Sequence, residues 1–345
     1  MVKGARPIVS VVLPVRNGAA TIGRAIASVR AQTFREWELI VVDDGSTDAS
    51  AGIVAEIARI DPRVRMFDVS RAGIVAALNA GLSVARGEFV ARMDADDESA
   101  PERMAEQVAF LRAAKNTAIG LVSCQVGFGG DRKANAGYAL HVDWINSLLT
   151  PEQIALNRFV ESPLAHPSVM FRRELLEKYG GYEAGDFPED YELWLRWLDA
   201  GVQMEKVPRE LLRWNDSGGR LSRVDSRYDP EAFFRVKATW IAREVARVSR
   251  ARRVLVWGAG RPTRKRAAHL EAQGICIAGY VDVDAKKVTD AIGGTGLPVV
   301  SNDKVPSPAE AFVLGYVSSR GAREFIRNEL RARGYREGRD FLMCA

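Results

Sequence analysis

Strand-length apolar runs alternate with helix-length amphipathic stretches over residues 8–93, and this alternation restricts the fold more than any other feature of the chain. Residues 8–13, 37–42, 64–69 and 88–93 read as strands, and 19–31, 49–59 and 74–85 as the helices between them. A parallel neighbour is reached only by a crossover long enough to hold a helix, so this order predicts an α/β fold, a mostly parallel sheet with helices on both faces. A helix over 101–113 begins on Pro101, where the missing N–H is harmless, and 119–124 reads as a fifth strand. Residues 125–165 are less regular, with Gly127-Phe128-Gly129-Gly130 suggesting a hairpin or loop. A buried helix follows over 189–199 and a long amphipathic one over 230–250; a strand–glycine–helix unit then restarts at Arg253.

At 345 residues the chain is long enough for about two domains. The pattern places a larger α/β domain at 1–227, a helical linker at 228–250 and a small Rossmann-like α/β domain at 251–345. Hydrophobic residues at 47% and charged residues at 27% exclude a disordered or collagen-like chain. No run approaches the roughly 18 apolar residues of a membrane span, and the first six residues lead into a strand rather than a signal-peptide core. The expectation is a cytoplasmic protein, with room for peripheral association with the inner face of the membrane and for an oligomer. Cys124, Cys276 and Cys344 are too scattered for a disulfide framework or a zinc site. Of the +5 net charge, the excess lies from Ala251 onward, with 16 Lys/Arg against 10 Asp/Glu. The larger segment has no basic stripe interleaved with aromatics, so no nucleic-acid partner is expected.

Open α/β sheets carry their chemistry at the carboxyl ends of strands. There the sequence places Pro14-Val15-Arg16-Asn17, Asp43-Asp44-Gly45-Ser46-Thr47-Asp48, Ser70-Arg71 and Asp94-Ala95-Asp96-Asp97. Ser46, Thr47 and Asp48 stand where a helix needs N-capping side chains. Capping accounts less well for the last run. Three carboxylates within four residues repel one another unless a cation or donors neutralise them, and period-two spacing turns Asp94 and Asp96 to one side. Two readings stay open, a solvated acidic turn and a Mg²⁺ or Mn²⁺ site that also holds a diphosphate, since these ions prefer oxygen ligands.

Val11-Val12-Leu13-Pro14-Val15-Arg16-Asn17, Leu39 through Asp48, Ala85 through Asp97 and Pro188-Glu189-Asp190-Tyr191-Glu192-Leu193-Trp194-Leu195 occur in that order. Together they resemble family-two glycosyltransferases with the A-type nucleotide-diphospho-sugar fold, over roughly residues 7–225. The resemblance implies an inverting, metal-dependent transfer of a sugar from a nucleotide diphosphate to a hydroxyl of a glycan or lipid-linked glycan. It places Pro14, Val15, Asn17, Asp43 and Asp44 around the base and ribose, with Arg71 flanking the base. A carboxylate such as Asp44 accepts from the ring N–H of uracil, which favours a UDP-sugar. Asp94 and Asp96 would hold the metal against the diphosphate, and Asp190 would be the general base. Glu189, His166 and Arg220 are implied as acceptor or secondary-site residues. Leu78 departs from a commoner Arg, and Arg220 lies in a loop where relatives often carry a His.

A nucleotidyltransferase is the competing enzyme class, but the chain lacks a glycine-rich Arg-Lys loop after its first strand. A degenerate assembly subunit is the other alternative, against which Asp94, Asp96 and Asp190 argue. In the tail, Gly258 and Gly260 fit the first two glycines of a dinucleotide fingerprint, but Thr263 takes the third position. The expectation is that residues 251–345 bind no NAD or NADP.

Overall fold

The computed structural model describes residues 6–113, 117–216, 220–290, 292, 296–319 and 321–345. Two units are present: Met1–Ile154, Pro163–Gly185 and Glu192–Asp225 form one, and Ala155–Ser162, Asp186–Tyr191 and Ser226–Ala345 the other.

The first unit opens with β1 (Val9–Val15), α1 (Ile22–Arg30), β2 (Trp37–Asp43), α2 (Ser50–Ile60), β3 (Val64–Asp68), α3 (Ile74–Ser83) and β4 (Phe89–Arg92). β1 pairs in parallel with β2 and β4, and β2 with β3, as the alternation predicts. After β5 (Glu98–Ser99) and α4 (Arg103–Arg112), β6 runs over Ile119–Phe128. It is longer than expected, and the stretch read as irregular holds α5 (Ala136–Ser147) and α6 (Pro151–Asn157) instead of a hairpin. β7 (Met170–Arg172), α7 (Glu174–Tyr179) and α8 (Glu189–Asp199) lead to β8 (Gln203–Trp214), a strand the sequence did not suggest. Its exposure does not alternate, and Glu205, Lys206, Pro208, Arg209 and Glu210 break the apolar pattern that marks a strand. A short α9 (Leu221–Val224) follows.

The eight strands form one sheet in the order β3-β2-β1-β4-β7-β6-β8-β5, with β7 antiparallel to β4 and β6, and β5 antiparallel to β8. Every residue of β1 and β2 is buried, as expected for central strands covered on both faces. Strand alternation divides their side chains: Val9, Val11, Leu13, Leu39 and Val41 pack with α1, whereas Val12 joins Leu78, Val90, Trp194 and Trp197 in a separate cluster. A one-residue slip of register would exchange these sets, so the packing fixes where each strand ends. Each fully buried Val or Leu contributes roughly 1.5–3 kcal/mol relative to exposure.

The second unit has α10 (Pro230–Val248), β9 (Arg253–Trp257), α11 (Arg261–Glu271), β10 (Ile277–Asp282), β11 (Val299–Ser301), β12 (Ala311–Gly315), α12 (Ala322–Ala332) and β13 (Phe341–Met343). Its sheet is parallel throughout, in the order β11-β10-β9-β12-β13. The helix expected as a linker is α10, and it groups with this sheet. No described helix is long and apolar enough to cross a membrane.

Candidate active site

The first unit gathers its polar groups at the carboxyl ends of β1, β2 and β4. Asn17 has φ 51°, a left-handed conformation that Asn tolerates. Its Oδ1 accepts from Thr47 N–H at 2.8 Å, and its own N–H donates to Ser46 Oγ at 2.9 Å. Ser46 N–H donates in turn to Asp43 Oδ1 at 3.1 Å. Ser46 and Thr47 therefore stitch two loops together instead of capping α2; only Asp48 accepts a first-turn N–H, that of Ser50 at 2.9 Å. Asp43 and Asp44 are both 5% exposed. Asp44 N–H donates to Val15 O at 2.8 Å, and Oδ1 accepts from Gly73 N–H at 3.1 Å. Gly45 has φ 68°, and a Cβ there would stand 2.8 Å from Arg71 Cγ, so only glycine lets Arg71 lie across this turn. The residues expected around a base and ribose, namely Pro14, Val15, Asn17, Asp43, Asp44 and Arg71, thus share one edge of the sheet, with Pro14 and Val15 buried in β1.

After β4 the chain turns at Ala95-Asp96, and one oxygen each from Asp94, Asp96 and Asp97 come within 4.8 Å of one another. The turn, not strand alternation, brings the three carboxylates together, and it adds Asp97 to the expected pair. Asp94 is flanked by two cations: Arg92 Nη1 donates to its Oδ1, and Arg220 Nη2 lies 3.8 Å from its Oδ2. Asp97 is fully buried; its Oδ1 accepts from Asn215 N–H at 2.8 Å, while Oδ2 has no hydrogen-bond partner among the described residues. Burial, and then the charge of Asp94, push the Asp97 carboxyl well above the usual carboxylate range; Arg220 opposes the shift and Asp96 adds to it. An orphaned buried oxygen among three hard oxygen donors fits a divalent cation, whose charge would reverse that shift. Asp94, Asp96 and Asp97 are the residues that could hold it.

Supporting residues surround this turn: Arg220, expected at a secondary site, and Asn215 and Arg103, which the sequence did not single out as site residues. Asn215 Nδ2 donates to Asp96 O at 2.8 Å and to Glu98 Oε1 at 3.3 Å. Arg220 donates to Asn215 O and lies 5.0 Å over the Trp214 ring. Arg103, only 3% exposed, donates to Arg92 O and to Ser99 Oγ, each at 2.8 Å, and so clamps the end of β4. The signal for Asn215 lay in its place before a loop already noted; an arginine inside an amphipathic helix gives no such signal.

His166 is 7% exposed, with Nε2 2.6 Å from Tyr182 Oη and its ring 6.0 Å from Trp194. Burial, and then the charge of Arg92, hold its pKa well below the ordinary histidine value, so it is neutral at pH 7.

Glu189 and Asp190 begin α8 and group with the second unit. Tyr191 N–H donates to Asp190 Oδ1 at 2.8 Å. Glu189 is 3% exposed, and its Oε2 accepts from Tyr228 Oη at 2.6 Å. In the glycine turn of the same unit, Gly258 has φ 117°. Asp282, at the end of β10, accepts from Ala259 N–H at 2.9 Å and lies 3.1 Å from Lys287 Nζ.

The first sheet and its helices have the fold of A-type glycosyltransferases. Residues 10–180 match the family model for glycosyl transferase family 2. The chain is 29% identical over 231 residues, 64% of this chain and 78% of the relative, to EpsE of Bacillus subtilis (strain 168), described as a glycosyltransferase. It is 28% identical over 201 residues, 56% of this chain and 72% of the relative, to the O-antigen biosynthesis glycosyltransferase WbnJ of Escherichia coli. Among solved structures, that of S. aureus TarS 1-349 in complex with UDP-GlcNAc superposes with a TM-score of 0.53 at 18% identity, covering 77% of this chain and 71% of that one.

Proposed function

We propose that the protein is an inverting, metal-dependent hexosyltransferase that moves a sugar from a UDP-sugar to a hydroxyl of a glycan or lipid-linked glycan. One observation carries this reading: the turn after β4 gathers Asp94, Asp96 and Asp97 at the same sheet edge as Asp43 and Asp44. That edge offers acceptors for a nucleoside and an oxygen-rich site for the cation that a diphosphate needs. The UDP-GlcNAc of the S. aureus TarS complex is consistent with a nucleotide-sugar donor, and the O-antigen role of WbnJ with a glycan acceptor.

Asp96, Asp94 and Asp97 would hold Mn²⁺ or Mg²⁺. When bound, the cation offsets the charge that grows on the departing diphosphate. Asp43 and Asp44 orient the nucleoside, and the Asp44 carboxylate accepts from the uracil ring N–H. Asp190 takes the proton from the acceptor hydroxyl as its oxygen bonds to the anomeric carbon, while the bond from that carbon to the diphosphate oxygen breaks. Attack from the face opposite the leaving group inverts the anomeric centre. Asp190 lies in the first turn of α8, where the helix dipole favours the ionised carboxylate that a base must be.

The test is calorimetry of UDP with and without Mn²⁺, followed by proton NMR of the product formed from α-linked UDP-sugars. Mn²⁺-dependent UDP binding and a β-linked product are expected. Metal-independent binding would overturn the metal assignment, and an α-linked product the inversion.

A further inference from the structure

The carboxyl edge of the second sheet, where open α/β sheets ordinarily take a ligand, is filled by the unit's own side chains. Lys237 of α10 is 1% exposed and donates to Phe159 O at 2.9 Å, Val160 O at 3.2 Å and Cys344 O at 2.7 Å. Phe234 lies 5.8 Å from Tyr316, just beyond β12. Residues 155–162 and 186–191 are thereby built into this unit. Tyr191 is fully buried, its hydroxyl donates to Arg158 O at 2.7 Å, and its ring lies 5.4 Å from Phe233. Arg158 in turn pairs with Glu244 of α10 at 3.2 Å. The second unit thus holds the first turn of α8, and with it Glu189 and Asp190.

We propose that Tyr228 is a positioning residue for the base: its phenol, 2.6 Å from Glu189 Oε2, fixes the Glu189–Asp190 turn in the geometry that proton transfer from the acceptor requires. This inference rests on the assignment of Asp190 as the base. A carboxylate that is 3% exposed needs donors, and the phenol supplies a charge-assisted one. Burial, and then the charges of Glu189 and Asp190, push the Tyr228 phenol above its ordinary value, so it remains a donor at neutral pH. Tyr228 immediately precedes Asp229 and Pro230, which start α10, so the donor is anchored on the helix that Lys237 ties down.

The test is Tyr228→Phe in the full chain. Deuterium exchange, read without any ligand, is expected to quicken across residues 186–191 and to stay unchanged in β9 and β12. Mn²⁺-dependent hydrolysis of UDP-glucose, UDP-galactose and UDP-N-acetylglucosamine should lose about tenfold in kcat, the worth of a hydrogen bond to a charged group, with KM within about twofold. Because Tyr228 acts through Glu189, Tyr228→Phe combined with Glu189→Gln should be no slower than the slower single variant. Unchanged exchange across 186–191, unchanged kcat, or penalties that multiply would each overturn the proposal. Parental turnover in Asp190→Asn would instead overturn the base assignment, whatever Tyr228→Phe does to exchange.

Discussion

Asp94 and Asp96 stand on either side of Ala95 in the turn after β4. Asp94 lies between Arg92 and Arg220, so its charge is largely answered within the protein. The Asp96 carboxylate also acts on the charge of Arg220, and its backbone carbonyl is held by Asn215. Because Asp96 contributes one of the three clustered carboxylate oxygens, Asp96→Ala should lower Mn²⁺-dependent UDP affinity by at least about 10–100-fold, the scale seen even for outer-shell metal partners. Calorimetry checks this, and an unchanged circular dichroism spectrum shows that the fold persists. Asp190→Asn preserves volume but accepts no proton, so kcat should fall by about two to four orders of magnitude with donor affinity retained. Arg103 makes a different expectation. Arg103→Met would leave Arg92 O and Ser99 Oγ without a donor at which they now converge. A loss of about 2–4 kcal/mol in unfolding free energy follows, readable by urea denaturation, together with weaker metal-dependent UDP binding.

At the scale of elements, the strand–glycine–helix unit of β9 and α11 has the outline of a dinucleotide site and the wrong interior. A Cβ at Gly258 would meet Thr263 Oγ1 at 3.0 Å and Val317 at 2.8 Å, so packing within the protein is enough to require glycine there. The Asp282 carboxylate, which a ribose would need, is engaged by Ala259 N–H and Lys287. The neighbouring basic run is met by Glu231, which lies 3.3 Å from Arg266 and 3.5 Å from Lys265. Titration with NAD or NADP up to about 100-fold above micromolar concentration should accordingly give no saturable heat, since displacing Asp282 leaves a partly buried carboxylate and an amide unpaired. A micromolar Kd abolished by Gly258→Val would refute this.

Among the described residues, each unit contains one lysine ammonium in a dry setting. Lys206 donates to Ile145 O and Pro163 O in the first unit, and Lys237 to its three carbonyls in the second. Burial pushes both down to about 7. Between that value and the ordinary lysine value near 10.5, the unfolded chain binds more protons than the folded one, so stability rises with pH. Cys124 and Cys344 act in the opposite sense, because burial raises them to about 11 and about 12 and their contribution is lost above the ordinary thiol value. Above the ordinary thiol value the two effects overlap and oppose each other. Unfolding free energy should rise from pH 7 to about pH 8.5 and level off above it, and in chemical denaturation Lys206→Met should about halve the rise, Lys237 supplying the rest.

The parallel sheet and the ends of β1, β2 and β4 were legible in the sequence because each depends on local pattern: apolar runs of strand length, helix periodicity between them, and acidic residues where the strands stop. Asp43, Asp44, Asp94 and Asp96 could be named for the same reason. β8 could not, since a strand buried irregularly among Lys206, Arg209 and Glu210 carries no period. Asp97 could be named only as part of the acidic run, since its half-satisfied burial depends on Asn215, and Arg103 and Tyr228 not at all, because they act through contacts that only the fold creates: Arg92 O for Arg103 and Glu189 for Tyr228. Alternation and spacing determine which elements form and where their ends fall. Which buried oxygen is left without a donor, and which donor reaches a given carboxylate, is decided only when segments remote in sequence are packed together, because desolvation and hydrogen-bond geometry exist only in the folded interior.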